Sequence, residues 1–359
     1  LETIAQKWKE KTGNDYKIIP TIGNQGQTAI DTELESYVAG TDLYVTDGPK
    51  EVWSKLYNKN VSINGKTYET QFANLTELYN TPLAGENGAT IKSKMLSTFA
   101  EAMEFEENYY FLPWTNGIYG IVRNKDAWNK LNLTDEDIPV TTDEMFALCD
   151  DIVDASVDAG IGNTKISPFI YSLEQEYYTS FLNIWFAQYE GREKFAQFGQ
   201  GKDPDGLVTQ YLYTYDGAEA ALGVLNSLLN GHEGAYQHPD SKSLKFSDMQ
   251  GLFLKGQSVF CVNGSWLEIE MGNYNTNIDY IKTPVVSSII NRLDTVEDDA
   301  ELAEIIRAID SGTAVPQGVS TEDYIIIKEA RSIAYTLNGT ARLMLVPAYG
   351  KVDLAEDFL

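Results

Sequence analysis

Tyr16-Lys-Ile-Ile-Pro20, the loop Gly23-Asn-Gln-Gly26, a helical stretch through Ala29, Ile30, Leu34, Tyr37 and Val38, and then Gly40-Thr-Asp-Leu-Tyr-Val-Thr46: this succession decides the fold class. The first run is a short strand, and the helical stretch keeps its apolar residues on one face until Gly40 stops it. Asp42–Thr46 is a second strand, followed by a turn at Asp47-Gly48-Pro49 and a helix around Val52 and Leu56. Strands separated by helices of this length predict a parallel sheet in an α/β domain. Ligands on such sheets bind beyond the carboxyl ends of the strands. That rule places Asn24, Gln25 and Asp47 on the functional edge.

The pattern extends outward in both directions. Leu1, Ile4, Ala5 and Trp8 form one face of a helix that Gly13 ends. Residues 58–88 read as a polar, turn-rich surface excursion, and a helix follows over Lys92–Met103. Two strand-like runs, Asn108–Trp114 and Gly117–Lys125, flank the break Pro113-Trp-Thr-Asn-Gly117. Thr141-Thr-Asp-Glu144 has capping-box spacing and opens a helix with Met145, Leu148, Cys149, Ile152 and Val153 inward. Ile166–Ile170 reads as a strand, Tyr177–Tyr189 as a long aromatic helix, and Asp216–Leu229 as another helix. Val259–Val262 is a strand, with Gly264-Ser-Trp266 opening a short helix. Residues 294–332 read as a mostly helical insertion. The strand Leu343–Pro347 and a helix from Val352 complete the chain.

With 359 residues, two domains are expected rather than one. The formal charge is −26, from 27 basic and 53 acidic residues. Such a surface repels phosphate backbones and anionic headgroups, and no window clusters Lys and Arg, so nucleic acid is not an expected partner. No apolar run is long enough to span a membrane. The chain opens at Leu1 inside a helix, without Met or leader, and is expected to be a mature or trimmed fragment. Cys149 and Cys261 read as small buried hydrophobes, with a single disulfide as the alternative.

Enzyme signatures are sparse. There is no G-x-S-x-G elbow, no phosphate-binding loop and no dinucleotide fingerprint. His232 and His238 share one polar loop, read as solvated, and no carboxylate or cysteine completes a metal site. Asp203-Pro-Asp-Gly206 resembles the start of a calcium loop, but its ligand spacing stops there. No cofactor and no metal are expected. Carboxylates beside aromatics (Glu104, Glu106, Glu107, Glu174, Glu176, Glu268, Glu270) leave a glycosidase acid pair open by residue type. Glu268 is kept as a candidate because it follows Trp266 in a turn.

Aromatics at turns carry more information. A sugar presents a flat C–H face and a rim of hydroxyls. The face packs on an indole or phenol ring, and amides or carboxylates take the hydroxyls. Trp114 with Asn116, the pair Tyr177–Tyr178, Trp185, and Trp266 with Glu268 all fit that requirement.

Four ordered segments resemble the family 1 extracellular solute-binding proteins, the group that includes maltodextrin-binding protein. They are Val38–Val45; Tyr109–Trp114 through Arg123-Asn-Lys125 and Pro139–Glu144; Phe253–Ser258 through Gly264-Ser-Trp266; and Lys351–Leu359. The order covers nearly the whole chain, although Arg123 stands where the family usually has Tyr and Val259-Phe260 replaces the usual Ala-Met. The resemblance implies a two-lobed α/β fold of the periplasmic-binding-protein type II kind, each lobe a mostly parallel sheet flanked by helices. Lobe one would be 1–115 with 340–359, incomplete at both ends; lobe two would be 116–339, with a helical insertion near 285–335. Crossovers are expected near Thr115–Gly117 and Asn338–Thr340. It further implies a non-catalytic binder of an ABC importer that captures a mono- or oligosaccharide between its lobes and delivers it to a membrane permease. Such a protein would be monomeric and extracellular, or periplasmic in a two-membrane bacterium, and lipid-anchored in its full-length form. Carried over by position, Trp114 lies in a crossover, Tyr177 and Tyr178 match a paired aromatic, and Trp266 matches a stacking tryptophan. A polyamine or peptide binder, and a carbohydrate-active enzyme with a carboxylate pair, remain the alternatives.

Overall fold

The structure, a computed structural model, describes residues 2–17, 25–36, 40–46, 55–57, 59–113, 117–160, 164–174, 177–210, 214–272, 277–337 and 342–359. The chain divides into two compact units, Leu1–Asn116 with Leu337–Leu359, and Gly117–Thr336.

In the first unit the helix Glu2–Thr12 ends at Gly13. The Gly13 N–H donates to the Lys9 carbonyl at 2.8 Å from a left-handed conformation, φ +75°, which glycine adopts without a Cβ clash. Trp8 meets Phe358 edge-to-face at 5.5 Å and donates its indole N–H to Asp357, which ties the two ends of this unit together. The sheet is three-stranded: Tyr44–Thr46, Leu343–Leu345 and Phe111–Pro113, with Leu343–Leu345 in the centre. Both pairings are antiparallel. The parallel sheet expected from the early strand–helix alternation is not what these strands form. The centre of the sheet is supplied by a strand from the far end of the chain, running opposite to its neighbours. Residues 18–24, which hold most of the first expected strand, and 47–54, which hold the expected turn and the start of the helix after it, lie outside the described residues.

The stretch 58–88 is more than a surface excursion. It holds a hairpin, Val61–Ile63 with Lys66–Tyr68, turned by Asn64 and Gly65 at φ 52° and +79°. An Asn-Gly pair at two positive φ angles suits the twist of flanking strands. The stretch also sends Phe72, Leu75 and Tyr79 into the core with Leu34, Met103, Tyr109 and Phe111. Tyr79 stacks on Tyr109 at 4.2 Å, and its hydroxyl donates to the Phe111 carbonyl at 2.6 Å. The expected helix over Lys92–Met103 is two helices, Ile91–Lys94 and Ser97–Met103, separated where Met95 and Leu96 are extended.

The second unit is built on Ile278–Ile281, Ile118–Asn124, Ser258–Gly264 and Ser167–Ile170, in that spatial order. Only Ser167–Ile170 with Ser258–Gly264 is parallel; the other two pairings along this path are antiparallel. Ser258–Gly264 is buried along its whole length, as a central strand covered on both faces must be. Phe169 and Phe260 face one core with Trp185 and Phe181, while Ile170 and Cys261 face a second with Met249 and Phe253. The helix Thr142–Ala155 starts as its spacing predicts: Thr141 accepts from the Glu144 N–H, and Glu144 reaches back to the Val140 N–H. Residues 294–332 are mostly helical, as expected, with Asp299–Ser311 capped by Asp298 and Thr321–Ser332 capped by Ser320.

Both cysteines are free and buried, so the disulfide alternative falls; burial pushes both thiols up. His238 is interior, not solvated. Its Nδ1 accepts from the Asp240 N–H and its other ring nitrogen meets Gln257 Oε1 at 2.9 Å. Arg123 is buried as well. Asp279 takes its guanidinium in two bonds (2.9 and 2.6 Å), Asp135 takes a third, and the Trp128 ring lies 4.9 Å below. An arginine here is a structural ion pair stacked on an indole.

Candidate functional site

The second unit gathers half-buried aromatic rings where two strands meet. The register of Ile118–Asn124 against Ser258–Gly264 sets Tyr119 opposite Gly264. Two residues on, Trp266 folds back over that glycine. A Cβ on Gly264 would lie 2.1 Å from the indole ring, and one on Gly117 3.2 Å from it. Both glycines therefore form the seat of the indole. The turn is fixed by hydrogen bonds: Tyr280 donates its hydroxyl to the Gly264 carbonyl at 2.8 Å, and the Ile118 N–H donates to the Ser265 hydroxyl.

From this seat the rings run in a connected series. Trp266 meets Tyr119 at 4.7 Å and Tyr177 at 6.2 Å; Tyr119 meets Tyr177 at 5.1 Å; Tyr177 meets Phe246 at 5.1 Å. All are edge-to-face, the arrangement in which ring edge and ring face attract, worth about 0.5–1.5 kcal/mol per pair. Tyr177 and Tyr178 open the helix Tyr177–Glu190, and Phe246 opens the helix Phe246–Leu254. Trp266, Tyr119, Tyr177 and Phe246 are each half-buried, so each is held by its neighbours and still shows surface. Tyr177 and Phe246 also line a small apolar pocket, with Tyr171, Ser172, Tyr178, Met249 and Val262. Tyr178 donates to Gln237 Oε1 at 3.1 Å and meets Tyr171 at 5.1 Å, facing inward from Tyr177.

The polar groups around the rings are acidic. Glu268 and Glu270 follow Trp266 on the short helix Leu267–Glu270, and both are exposed. Glu270 accepts from the Gln250 side-chain amide at 2.9 Å. At the other end Glu174 accepts from the Phe246 N–H at 2.8 Å. Burial raises the phenols of Tyr119 and Tyr177, with the Glu270 carboxylate adding to both; burial and then Glu268 raise Tyr280. All of these phenols are neutral donors at physiological pH. Among the described residues no group of His, Cys, Asp and Glu is arranged to hold a metal ion. The Asp203 carboxylate is occupied in closing its own turn, accepting from the Asp205 and Leu207 N–H groups.

Of the residues singled out in the sequence, the structure brings Tyr177, Tyr178, Trp266 and Glu268 to one region. Trp185 does not join them. It is 0% exposed, packs 5.1 Å from Phe181 in the core, and offers no ring face to a solute. Asn24, Asp47, Trp114 and Asn116 lie outside the described residues; Gln25 begins the helix Gln25–Ser36, its side chain not described. Sequence reading passed over Tyr119, Phe246 and Tyr280. The signal for Tyr119 was present in Gly117-Ile-Tyr-Gly120, an aromatic between two glycines at a strand start.

No protein-family model matches the sequence, and no curated protein matches it. Solved structures do. RafE, a solute-binding protein in complex with raffinose, aligns over 99% of this chain and 72% of its own at 16% identity, TM-score 0.59. Maltose-bound MalE3 of T. maritima aligns over 99% and 71% at 13% identity, TM-score 0.57. The bacterial solute receptor AcbH, described as preferring β-D-galactopyranose, aligns over 99% and 69% at 10% identity, TM-score 0.60. The chain has the fold of the ABC-importer solute-binding proteins. The fold is therefore shared at 10–16% sequence identity.

Proposed function

We propose that this protein is the solute-binding component of an ABC importer, that its ligand is a carbohydrate, and that it binds without catalysis. The observation that carries this reading is the ring series Trp266–Tyr119–Tyr177–Phe246, seated on glycines and fringed by carboxylates. It supplies apolar faces for the C–H side of a pyranose and acceptors for its hydroxyls. The similar structures hold raffinose and maltose, which supports the same class of ligand here. Trp266 and Tyr177 stack on the sugar, Tyr119 and Tyr178 support them, and Glu268 accepts from hydroxyls. Asn24, Gln25, Asp47, Trp114 and Asn116 are the further ligand contacts we propose on the strand-end and crossover arguments. The permease partner, a monomeric state, and an extracytoplasmic, lipid-anchored location belong to the same reading. Among the described residues no helix is long and apolar enough to cross a membrane.

A thermal-shift panel of raffinose, maltose, galactose and spermidine tests it, because a ligand bound only by the native state raises Tm. At a hundredfold excess over Kd the gain is about 2.7 kcal/mol. A sugar is expected to raise Tm in the wild type and not in Trp266→Ala. A shift with spermidine alone would overturn the reading, and a sugar shift that Trp266→Ala leaves intact would overturn the assignment of Trp266 to the site. Release of reducing sugar from raffinose or maltose would make the protein an enzyme.

A further inference from the structure

The ring series is bordered by three carboxylates, and among the described residues none of the three forms an ion pair with a cation. Glu270 is held by a side-chain amide and Glu174 by a backbone N–H, both neutral donors. Glu268 is exposed two residues from the indole. Several cationic side chains elsewhere in this unit are engaged in ion pairs with other acids, as Arg123 is with Asp279 and Asp135, Lys282 and Arg331 with Asp310, and Arg307 with Glu144. The cation nearest in sequence, Lys245, is exposed at the residue preceding Phe246 and forms no ion pair with any of the three acids. Reach is evident from the phenols, since Glu270 acts on both Tyr119 and Tyr177, and Glu268 on Tyr280.

Two attractive effects therefore coincide. An aromatic face carries negative charge density and attracts a cation laid over it. Carboxylates at its edge accept charge-assisted hydrogen bonds from an ammonium more strongly than from a hydroxyl. An anionic solute meets the opposite: ring faces, three acids and a chain of net charge −26.

We propose that this face selects its sugar by charge, taking an amino sugar with a free ammonium in preference to the neutral pyranose and refusing the uronate. The proposal rests on the sugar-binding reading above and names the substrate class within it.

Isothermal titration with matched series decides it: glucosamine, glucose and glucuronic acid, and galactosamine, galactose and galacturonic acid. Within the series that binds, the amino sugar is expected to bind about tenfold more tightly than the neutral sugar, with no heat from the uronate. The ratio of amino to neutral affinity is expected to shrink at high salt and to fall toward one in the double variant Glu268→Gln, Glu270→Gln. Circular dichroism of the variant shows that it is folded. Equal affinity for amino and neutral sugars, binding of the uronate, or a ratio unchanged in the double variant overturns the charge selection and leaves the sugar reading standing. Silence from both series overturns the charge selection, and silence from raffinose and maltose as well overturns the sugar reading itself.

Discussion

At the scale of single residues, Gly264 shows how a small side chain can be decisive for a large one. The indole of Trp266 occupies the space where a Cβ would stand, 2.1 Å away. Gly264→Ala must push the indole off its seat, since the alternative is movement of a buried central strand. We expect a stability loss of about 1–3 kcal/mol by chemical denaturation, and a shift in Trp266 fluorescence with weakened sugar binding. Unchanged binding would show that the indole does not need this seat. Asp323 is a second such residue. It is 1% exposed and accepts from the Thr295 hydroxyl and from the N–H groups of Asp294 (3.1 Å) and Thr295 (2.7 Å). Asp323→Ala strands these donors and is expected to cost about 2–4 kcal/mol in urea unfolding. The residue types of the site were legible in the sequence. Their exposure was not, and Trp185 and Trp266 mark the difference. Both are tryptophans beside other aromatics, yet one is fully buried in the core and the other, just past a strand end, is half-buried.

At the scale of elements, caps and periodicities did most of the work. Thr141, Asp298 and Ser320 each start a helix by accepting an N–H of its first turn. Asp298→Ala is expected to cost about 1 kcal/mol in thermal unfolding. The two helices of the insertion are also clamped by an ion pair, Arg331 to Asp310 at 2.6 Å, with Lys282 joining at 2.7 Å. Burial alone would raise the Asp310 carboxyl, but the bonds from Arg331 and Lys282 outweigh it and hold the group below its ordinary value. Asp323 is lowered in the same way, its hydrogen bonds outweighing burial. For a depressed carboxyl the stabilisation is present above the unfolded value of about 3.9 and is lost as pH falls through the folded one. Denaturant midpoints are therefore expected to drop below about pH 4. In Asp310→Asn the protein should be weaker at neutral pH and the acid drop shallower; an identical acid drop would remove Asp310 from the account. What the elements did not reveal was their direction. Alternating strands and helices led to an expectation of parallel sheets, and most described pairings are antiparallel.

At the scale of the whole molecule, the net charge of −26 works against compactness. Added neutral salt screens that repulsion over distances beyond roughly 10 Å at 0.1 M, so Tm by calorimetry should rise between low salt and about 0.5 M NaCl. A flat or falling Tm would show that local ion pairs such as Arg331–Asp310 outweigh the general repulsion. The sequence by itself determined the acidic surface, the helices with their caps, those of residues 294–332 included, the resemblance to the solute-binding fold, and the chemistry of rings beside carboxylates. These follow from composition and from patterns a few residues long, which a chain carries wherever it goes. Only the tertiary structure decided that Leu343–Leu345 lies between Tyr44–Thr46 and Phe111–Pro113, that Phe72 and Tyr79 leave a polar stretch for the core, that His238 and Arg123 are interior, and that Tyr119 completes the ring series. Each of these depends on what stands opposite a residue in space, and most of the partners come from a distant part of the chain, as Gly264 does for Tyr119 and Asp279 for Arg123.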